Sequence, residues 1–151
     1  MTVWITGGAV SCSPCHIVKY PVDFAGKIEY LPFYKAFAEQ KQSIDLLCEK
    51  IEQHILMALH NAQLNLSFLD NNPLFLSSTS FHIAHGELNH QDLGKCDLYH
   101  FTVIAEQLKI KHPKWQIYTI ATSCTSSANA LIYAKNSIDC GFYDNALIVS
   151  F

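Results

Sequence analysis

The sequence alternates short apolar runs that have a strand-like pattern with longer stretches in which apolar residues recur every three or four positions. Strands that alternate with helices favour a parallel sheet, because parallel neighbours need the crossover connections that helices supply. The chain is therefore predicted to be an α/β protein with a mainly parallel, layered sheet and helices on both faces. One core is the expectation for 151 residues.

The clearest helical pattern covers residues 44–62. Its apolar positions share one face of a helix, and most of the charged residues fall on the other face. These apolar positions are Ile44, Leu47, Cys48, Ile51, Ile55, Ala58, Leu59 and Ala62.

The remaining elements are predicted from shorter patterns. Strands are expected at Thr2–Val10, Leu74–Ser80, Gln116–Ala121 and Asn145–Phe151, and helices at Asp97–Ile110 and Ser127–Cys140. Residues 12–32 follow neither period, so they are predicted to form a loop or short helical pieces.

Cys124 lies at the junction between the strand that ends near Ala121 and the helix that follows. Ser126 or Ser127 is a suitable cap for that helix. Unpaired N–H groups and the positive end of the helix dipole favour a thiolate at such a position, and the thiolate is the nucleophilic form. Cys124 is therefore a candidate acyl acceptor. The structural alternative is a small buried cysteine at a strand end.

The residues around Cys124 resemble a known nucleophile segment. The run from Ala121 to Ala130, followed by Gly141 to Val149, is similar to that segment in β-ketoacyl synthases, the condensing enzymes of the thiolase superfamily. That family has a small residue, the nucleophilic cysteine, a Ser/Thr-rich helix start, a small-residue helix and then Gly-x-x-Asp before an apolar strand. The run from Val3 to Ser11 also resembles the opening strand of the family.

Two positions depart from the family pattern. Ser123 occupies the place where the family usually has Ala or Gly, and Ser150-Phe151 replaces the usual small pair after the strand. These departures leave the subfamily open.

The resemblance implies a thiolase-like fold and a decarboxylative condensation. Cys124 would take an acyl group as a thioester, with its own backbone N–H helping to hold the developing oxyanion. A malonyl unit carried by acyl carrier protein would then supply the enolate that attacks this thioester. No cofactor or metal is implied, and the partners are acyl carrier protein and a second subunit, in a homodimer or in a heterodimer with a related chain.

The family needs two similar α/β halves, and its two catalytic histidines come from the second half. Residues 1–151 are therefore expected to be the incomplete N-terminal β-ketoacyl synthase domain, with the C-terminal half absent and with no activity of its own. Two alternatives remain open at this point. One is a non-catalytic, chain-length-determining partner subunit, although such partners commonly lack the cysteine, and the other is a different acyltransferase of the thiolase superfamily.

Composition excludes several classes of function. Ten Lys and Arg residues against thirteen Asp and Glu residues give a formal net charge of -3, so no basic field for nucleic acid is expected. The apolar runs are too short for a membrane span and the first residues do not resemble a signal peptide, so a cytoplasmic protein is expected. Its six cysteines are expected to be free thiols.

Two further groups of residues could bind a metal or haem. The segment from Cys12 to His16 matches a c-type haem attachment pattern, but that chemistry requires export, so a loop with incidental cysteines is favoured. A cluster after the second strand has a spacing that fits no common zinc module, so a solvated loop is favoured there. That cluster consists of His82, His85, Glu87, His90 and Cys96.

Overall fold

The computed structural model describes residues 2–10, 17–34, 44–79 and 102–151. The helices and strands within these ranges are β1 (Ile17–Phe24), β2 (Lys27–Tyr34), α1 (Ile44–Asn61), β3 (Pro73–Ser77), α2 (Thr102–Lys111), β4 (Gln116–Ile120), α3 (Ser126–Asp139) and β5 (Leu147–Ser150). Short 3₁₀ turns lie at Leu66–Asp70 and Ser123–Thr125. In these ranges no helix combines the length and the apolar character that crossing a bilayer requires.

The main sheet has three parallel strands, in the order β4-β3-β5. Leu74 of the central strand pairs with Ile117 of β4 on one side and with Leu147 of β5 on the other. All five residues of β3 are buried, as expected for a strand covered on both faces. The prediction of a parallel α/β sheet is confirmed.

The larger core lies between the sheet and the helices α1 and α2. Leu74 and Leu76 of β3 pack in it with Ile55 of α1 and Ile104 of α2. These side chains are fully excluded from solvent. Most of the helix residues in this core come from the predicted apolar face of α1. The helix predicted at 44–62 is confirmed within one residue at its end.

The smaller core lies on the opposite face of the sheet, under α3. Phe75 of β3 contacts small residues of this helix, Ala130 and Ala134, together with Ile148 of β5. Neighbouring residues of β3 alternate between the two cores because strand side chains alternate between faces. Helices therefore cover both faces of the sheet, as predicted.

The strands and helices after residue 70 agree with their predicted positions, apart from a few residues at their ends. Leu74–Ser80 corresponds to β3 and Asn145–Phe151 corresponds to β5. The helix expected at Asp97–Ile110 is observed from Thr102 to Lys111. Its predicted first residues, 97–101, lie outside the described residues.

The prediction of a loop or short helical pieces at residues 12–32 is wrong where the structure describes them. β1 and β2 form an antiparallel hairpin in which Phe24 pairs with Lys27. Its two turn residues, Ala25 and Gly26, both have positive φ angles, which is the backbone of a tight hairpin turn. The backbone N–H of Gly26 donates to Oδ1 of Asp23 at 2.7 Å, which further closes the turn.

The strand predicted at Thr2–Val10 is also wrong. Residues 2–10 have no regular secondary structure, and Trp4 and Ile5 are largely exposed. The segment instead lies against the end of α1, where the Gly8 N–H donates to Oδ1 of Asn61 at 3.1 Å. A Cβ at Gly7 would come within 2.7 Å of Ala62, so this close approach requires glycine.

Candidate functional site

Cys124 lies in the short turn that joins β4 to α3. The turn is a 3₁₀ helix from Ser123 to Thr125, and α3 begins at the next residue. Cys124 is exposed and is not in a disulfide. The turn is at the carboxyl end of a parallel strand, which is where α/β sheets bind their ligands. The predicted strand, turn and helix around Cys124 are therefore confirmed, whereas its reactivity remains a prediction.

Ser123 gives this turn its sharp bend. Its φ angle is 55°, in the left-handed region that residues other than glycine rarely adopt. A side chain held there costs roughly 1–3 kcal/mol, so the surrounding bonds must stabilise the turn. This is also the position where the sequence departs from the small residue of the resembled family.

Ser126 braces the turn from the helix side. Its hydroxyl donates to the carbonyl oxygen of Ser123 at 2.7 Å and accepts the Thr122 N–H at 2.8 Å. The side chain is completely buried, so these bonds are shielded from water. The predicted capping role of Ser126 or Ser127 is wrong, because the N-cap is Thr125 and it makes no side-chain cap bond.

Thr125 and Asn129 brace the turn from the other side. The Thr125 hydroxyl donates to the carbonyl oxygen of Thr122 at 2.8 Å. Nδ2 of Asn129, which is one helical turn further along α3, donates to Oγ1 of Thr122 at 2.7 Å and to Oγ1 of Thr125 at 3.3 Å. The Asn129 amide thus holds Thr122, which precedes Cys124, and Thr125, which follows it.

A further hydroxyl pair connects β5 to the start of α3. The hydroxyls of Ser127 and Ser150 are hydrogen-bonded to each other. The neighbouring backbone is joined to the central strand, since the Phe151 N–H donates to the Ser77 carbonyl oxygen at 3.1 Å. Ser150, the second departure from the family pattern, therefore anchors the end of β5 beside the helix that carries Cys124.

Cys124 lies two residues before the N-terminal end of α3. The first turn of this helix contains no acidic residue. No carboxylate from that turn therefore offsets the positive end of the helix dipole, which directly follows Cys124. This arrangement is suited to an anionic intermediate or substrate group near the thiol.

The other described cysteines have different environments. Cys140 is exposed at the far end of α3, whereas Cys48 is buried in the larger core. Burial raises the pKa of the Cys48 thiol, because the thiolate would lose its hydration. The three remaining cysteines, Cys12, Cys15 and Cys96, lie outside the described residues.

The predictions about metal and haem fall largely outside the described residues. Cys12 to His16 and the cluster that consists of His82, His85, Glu87, His90 and Cys96 are not among them. Within residues 2–10, 17–34, 44–79 and 102–151, no three metal-binding side chains come together.

Two other polar clusters lie away from Cys124. Glu52 of α1 is bonded to Lys111 and His112 at 3.1 and 3.0 Å, and the His112 ring stacks on Trp115. The Tyr143 hydroxyl donates to Oε1 of Gln116 at 2.7 Å and is bonded to the Tyr118 hydroxyl. The bond with Tyr118 raises the pKa of Tyr143. Both clusters connect elements of the fold.

The sequence pattern predicts that Cys124 lies between a strand and a helix, but it does not predict the residues that hold its turn. The sequence pattern favours Ser126 or Ser127 as a helix cap and indicates Asn129 only as part of a small-residue helix. The role of Asn129 could have been predicted, because it is four residues after Thr125 and residues at that spacing are neighbours on one side of a helix.

No protein-family model, curated protein or solved structure matches the chain.

Proposed function

We propose that the chain carries the nucleophile of a β-ketoacyl synthase with a thiolase-like fold. The observation that carries the proposal is the exposed Cys124 in a braced, left-handed turn between a parallel strand and a helix. The resemblance of the residues from Ala121 to Ala130 to the nucleophile segment of that family agrees with this geometry.

The proposed reaction begins with acyl transfer. The Cys124 thiolate attacks the carbonyl carbon of an acyl thioester and forms a new C–S bond. The bond between that carbon and the pantetheine sulfur breaks, and the pantetheine leaves as a thiolate that takes up a proton from water. The Cys124 backbone N–H is the candidate donor to the oxyanion that develops on the carbonyl oxygen.

Condensation follows from a malonyl thioester on acyl carrier protein. Loss of CO₂ produces an enolate, which attacks the acyl carbon on Cys124 and releases the thiolate together with a 3-oxoacyl thioester. The resemblance assigns stabilisation of the enolate to two histidines that it does not place within residues 1–151. The carrier-protein partner and a cytoplasmic location belong to the same proposal.

The proposal also accounts for the outer face of α3. Leu131, Ile132 and Tyr133 are all more than half exposed on this helix, although its opposite face is buried in the smaller core. A helix that is apolar on both sides is typical of a position between two layers of protein. The second subunit or the second α/β half that the resemblance implies would bury this surface.

The direct test is transfer of an acyl group to Cys124. The purified protein is incubated with an acyl carrier protein that bears a medium-chain acyl thioester, and the adduct is located by peptide mass spectrometry. We expect one acyl group on Cys124 and none in Cys124→Ala. The matched control is Cys140→Ala, which removes the exposed thiol at the other end of α3 and should keep the adduct.

The outcomes separate the alternatives. Absence of an adduct on Cys124 with carrier-protein and coenzyme A thioesters would contradict the proposal and favour a non-catalytic partner subunit. An adduct formed from coenzyme A thioesters alone would favour a different acyltransferase. Release of a 3-oxoacyl product by residues 1–151 on addition of malonyl carrier protein would contradict the expectation that the two histidines of the second half are needed for condensation.

A further inference from the structure

Asn129 reaches from the body of α3 into the turn that carries Cys124. Its Nδ2 contacts hydroxyl oxygens on both sides of the cysteine, Thr122 Oγ1 at 2.7 Å and Thr125 Oγ1 at 3.3 Å. The first of these bonds spans seven residues of sequence, so it joins the segment before the turn to the helix after it.

The hydroxyls that Asn129 contacts are themselves joined to the backbone of the turn. The Thr125 hydroxyl donates its hydrogen to the carbonyl oxygen of Thr122, and its oxygen also lies 3.2 Å from Oγ1 of Thr122. A hydroxyl oxygen can accept while its hydrogen is donated, so the Thr125 hydroxyl bonds to the Thr122 carbonyl oxygen and accepts from Asn129 at the same time. The amide therefore fixes the rotamers of two side chains that flank Cys124.

Asn129 and Ser126 act on different parts of the turn. Ser126 contacts the backbone of Thr122 and Ser123, whereas Asn129 contacts the side chains of Thr122 and Thr125. Removing the amide would leave the Ser126 bonds in place. The backbone of the turn would then be retained, while the hydroxyls of Thr122 and Thr125 lose their contact with the amide. The Cys124 thiol could therefore change direction in a protein that stays folded.

We propose that Asn129 is a positioning residue, which sets the direction of the Cys124 thiol by holding the hydroxyls of Thr122 and Thr125. The catalytic meaning of this role rests on the proposed acyl transfer to Cys124. The contact geometry does not depend on that proposal, and it is testable through the reactivity of the thiol alone.

The test compares two thiols at opposite ends of the same helix. The purified protein is treated with limiting iodoacetamide over a range of neutral to mildly alkaline pH, and the ratio of Cys124 to Cys140 alkylation is measured by mass spectrometry. Asn129→Leu removes the amide at nearly constant volume. We expect it to lower the ratio about three- to tenfold, because a misplaced reacting group loses rate even when its fold is kept.

Two controls separate positioning from a general loss of structure. Asn136→Leu makes the same change on an exposed part of α3 and should leave the rate of Cys124 alkylation unchanged. For this variant the Cys124 rate is compared directly, because Asn136 is bonded to Cys140 through the backbone. Buried Cys48 must stay unlabelled in each variant, since its labelling reports unfolding. An unchanged ratio in Asn129→Leu with Cys48 still protected would overturn the proposal.

A second pair of variants keeps the proposal testable if Asn129→Leu does not fold. Thr122→Val removes the hydroxyl that Asn129 contacts, and Thr122→Ser keeps it. We expect Thr122→Val to lower the ratio and Thr122→Ser to retain it. Equal ratios in the two would contradict the proposal.

Acyl transfer distinguishes this inference from the proposed function. If the wild-type protein takes no acyl group on Cys124, the function fails, while the alkylation ratio still reports on positioning. If the wild type and Asn129→Leu are acylated at equal rates and have equal alkylation ratios, the positioning role fails and the function stands.

Discussion

At the scale of single residues, Ser123 determines how the chain turns from β4 into α3. Its left-handed backbone is unfavourable for any side chain and worst for a β-branched one. The hydroxyl of buried Ser126 compensates by bonding to the carbonyl oxygen of Ser123. The hydrogen bond from Ser126 thus offsets part of the backbone strain at Ser123.

Replacing Ser123 tests this account. We expect Ser123→Val to lower the free energy of unfolding by about 1–2 kcal/mol, because the branched side chain is strained at a positive φ angle. Ser123→Gly should stay within about 1 kcal/mol of the wild type, since the relief of strain is opposed by the greater freedom of the unfolded chain. Urea denaturation measures both. A Ser123→Val protein as stable as the wild type would contradict the left-handed turn.

Cys48 provides a prediction about pH. Burial raises its pKa above the usual thiol value of 9.0, so the folded state favours the neutral thiol. This contribution to stability is fully present below pH 9.0 and is lost as the pH rises through the higher pKa of the folded state. We expect the free energy of unfolding to fall more steeply above pH 9.0 in the wild type than in Cys48→Val.

The measurement is urea denaturation at a series of alkaline pH values, and alkylation supplies an independent check. Cys48 should be unreactive towards iodoacetamide in the native protein and react once it is unfolded, whereas exposed Cys140 should react in both states. Equal pH dependence in the wild type and Cys48→Val would show that the thiol does not contribute.

At the scale of secondary-structure elements, α3 packs on the sheet through the small residues Ala130 and Ala134. Ala130 is fully buried and packs with Phe75 of β3. A larger side chain at this position would push the helix away from the strand, and overpacking of this kind typically costs about 1–3 kcal/mol.

The variant Ala130→Leu tests this packing. We expect it to lower the free energy of unfolding by about 1–3 kcal/mol and to reduce the reactivity of Cys124, since displacing α3 disturbs the turn that precedes it. The matched control is Ala128→Leu, which adds the same atoms at an exposed position of the same helix and should change stability by less than about 0.5 kcal/mol. An equal cost at both positions would contradict the packing.

The elements also differ in how far the sequence could predict them. α1 was predictable because burial on one face leaves a periodic pattern, and β3 because a strand buried on both faces leaves a short continuous apolar run. The hairpin was missed because Pro21 and Pro32 interrupt its strands, yet proline is tolerated in a two-stranded sheet where each strand has a free edge. The run Thr2–Val10 has a strand pattern, but a strand also needs a partner, and the sequence alone does not supply one.

The same limit applies to the candidate site. The position of Cys124 was predictable because a strand, a cysteine and a helix start are consecutive in the sequence, although the predicted cap was wrong. The contacts of Ser126 and Asn129 were not, because they depend on a left-handed residue at Ser123 and on the angle at which α3 leaves the turn. Local pattern predicts where Cys124 lies between strand and helix, and three-dimensional geometry determines which side chains hold the turn around it.

At the scale of the whole molecule, the central strand β3 connects the two cores. Leu76 points into the core shared with α1 and α2, while its neighbour Phe75 contacts α3 on the other face. The backbone of β3 also pairs with both β4 and β5. A loss of packing at this strand therefore affects both faces of the sheet, including the side that carries Cys124.

Leu76→Ala is the variant that tests this dependence. Leu76 is fully buried, so removal of its side chain leaves a cavity between the sheet and the two helices, and such changes typically cost about 2–5 kcal/mol. The free energy of unfolding should fall by that amount in urea denaturation. The matched control is Leu131→Ala, at a position that is 52% exposed on the outer face of α3, where a cost below about 1 kcal/mol is expected.

The Cys48 and Cys124 thiols, which report on the larger core and on the turn before α3, should respond together to urea. If β3 connects the two cores, Leu76→Ala should lower the urea concentration at which Cys48 becomes reactive and the one at which Cys124 loses its native reactivity by the same amount. Separate transitions for the two thiols would show that α3 and its turn unfold independently of the larger core, and would contradict a single cooperative sheet.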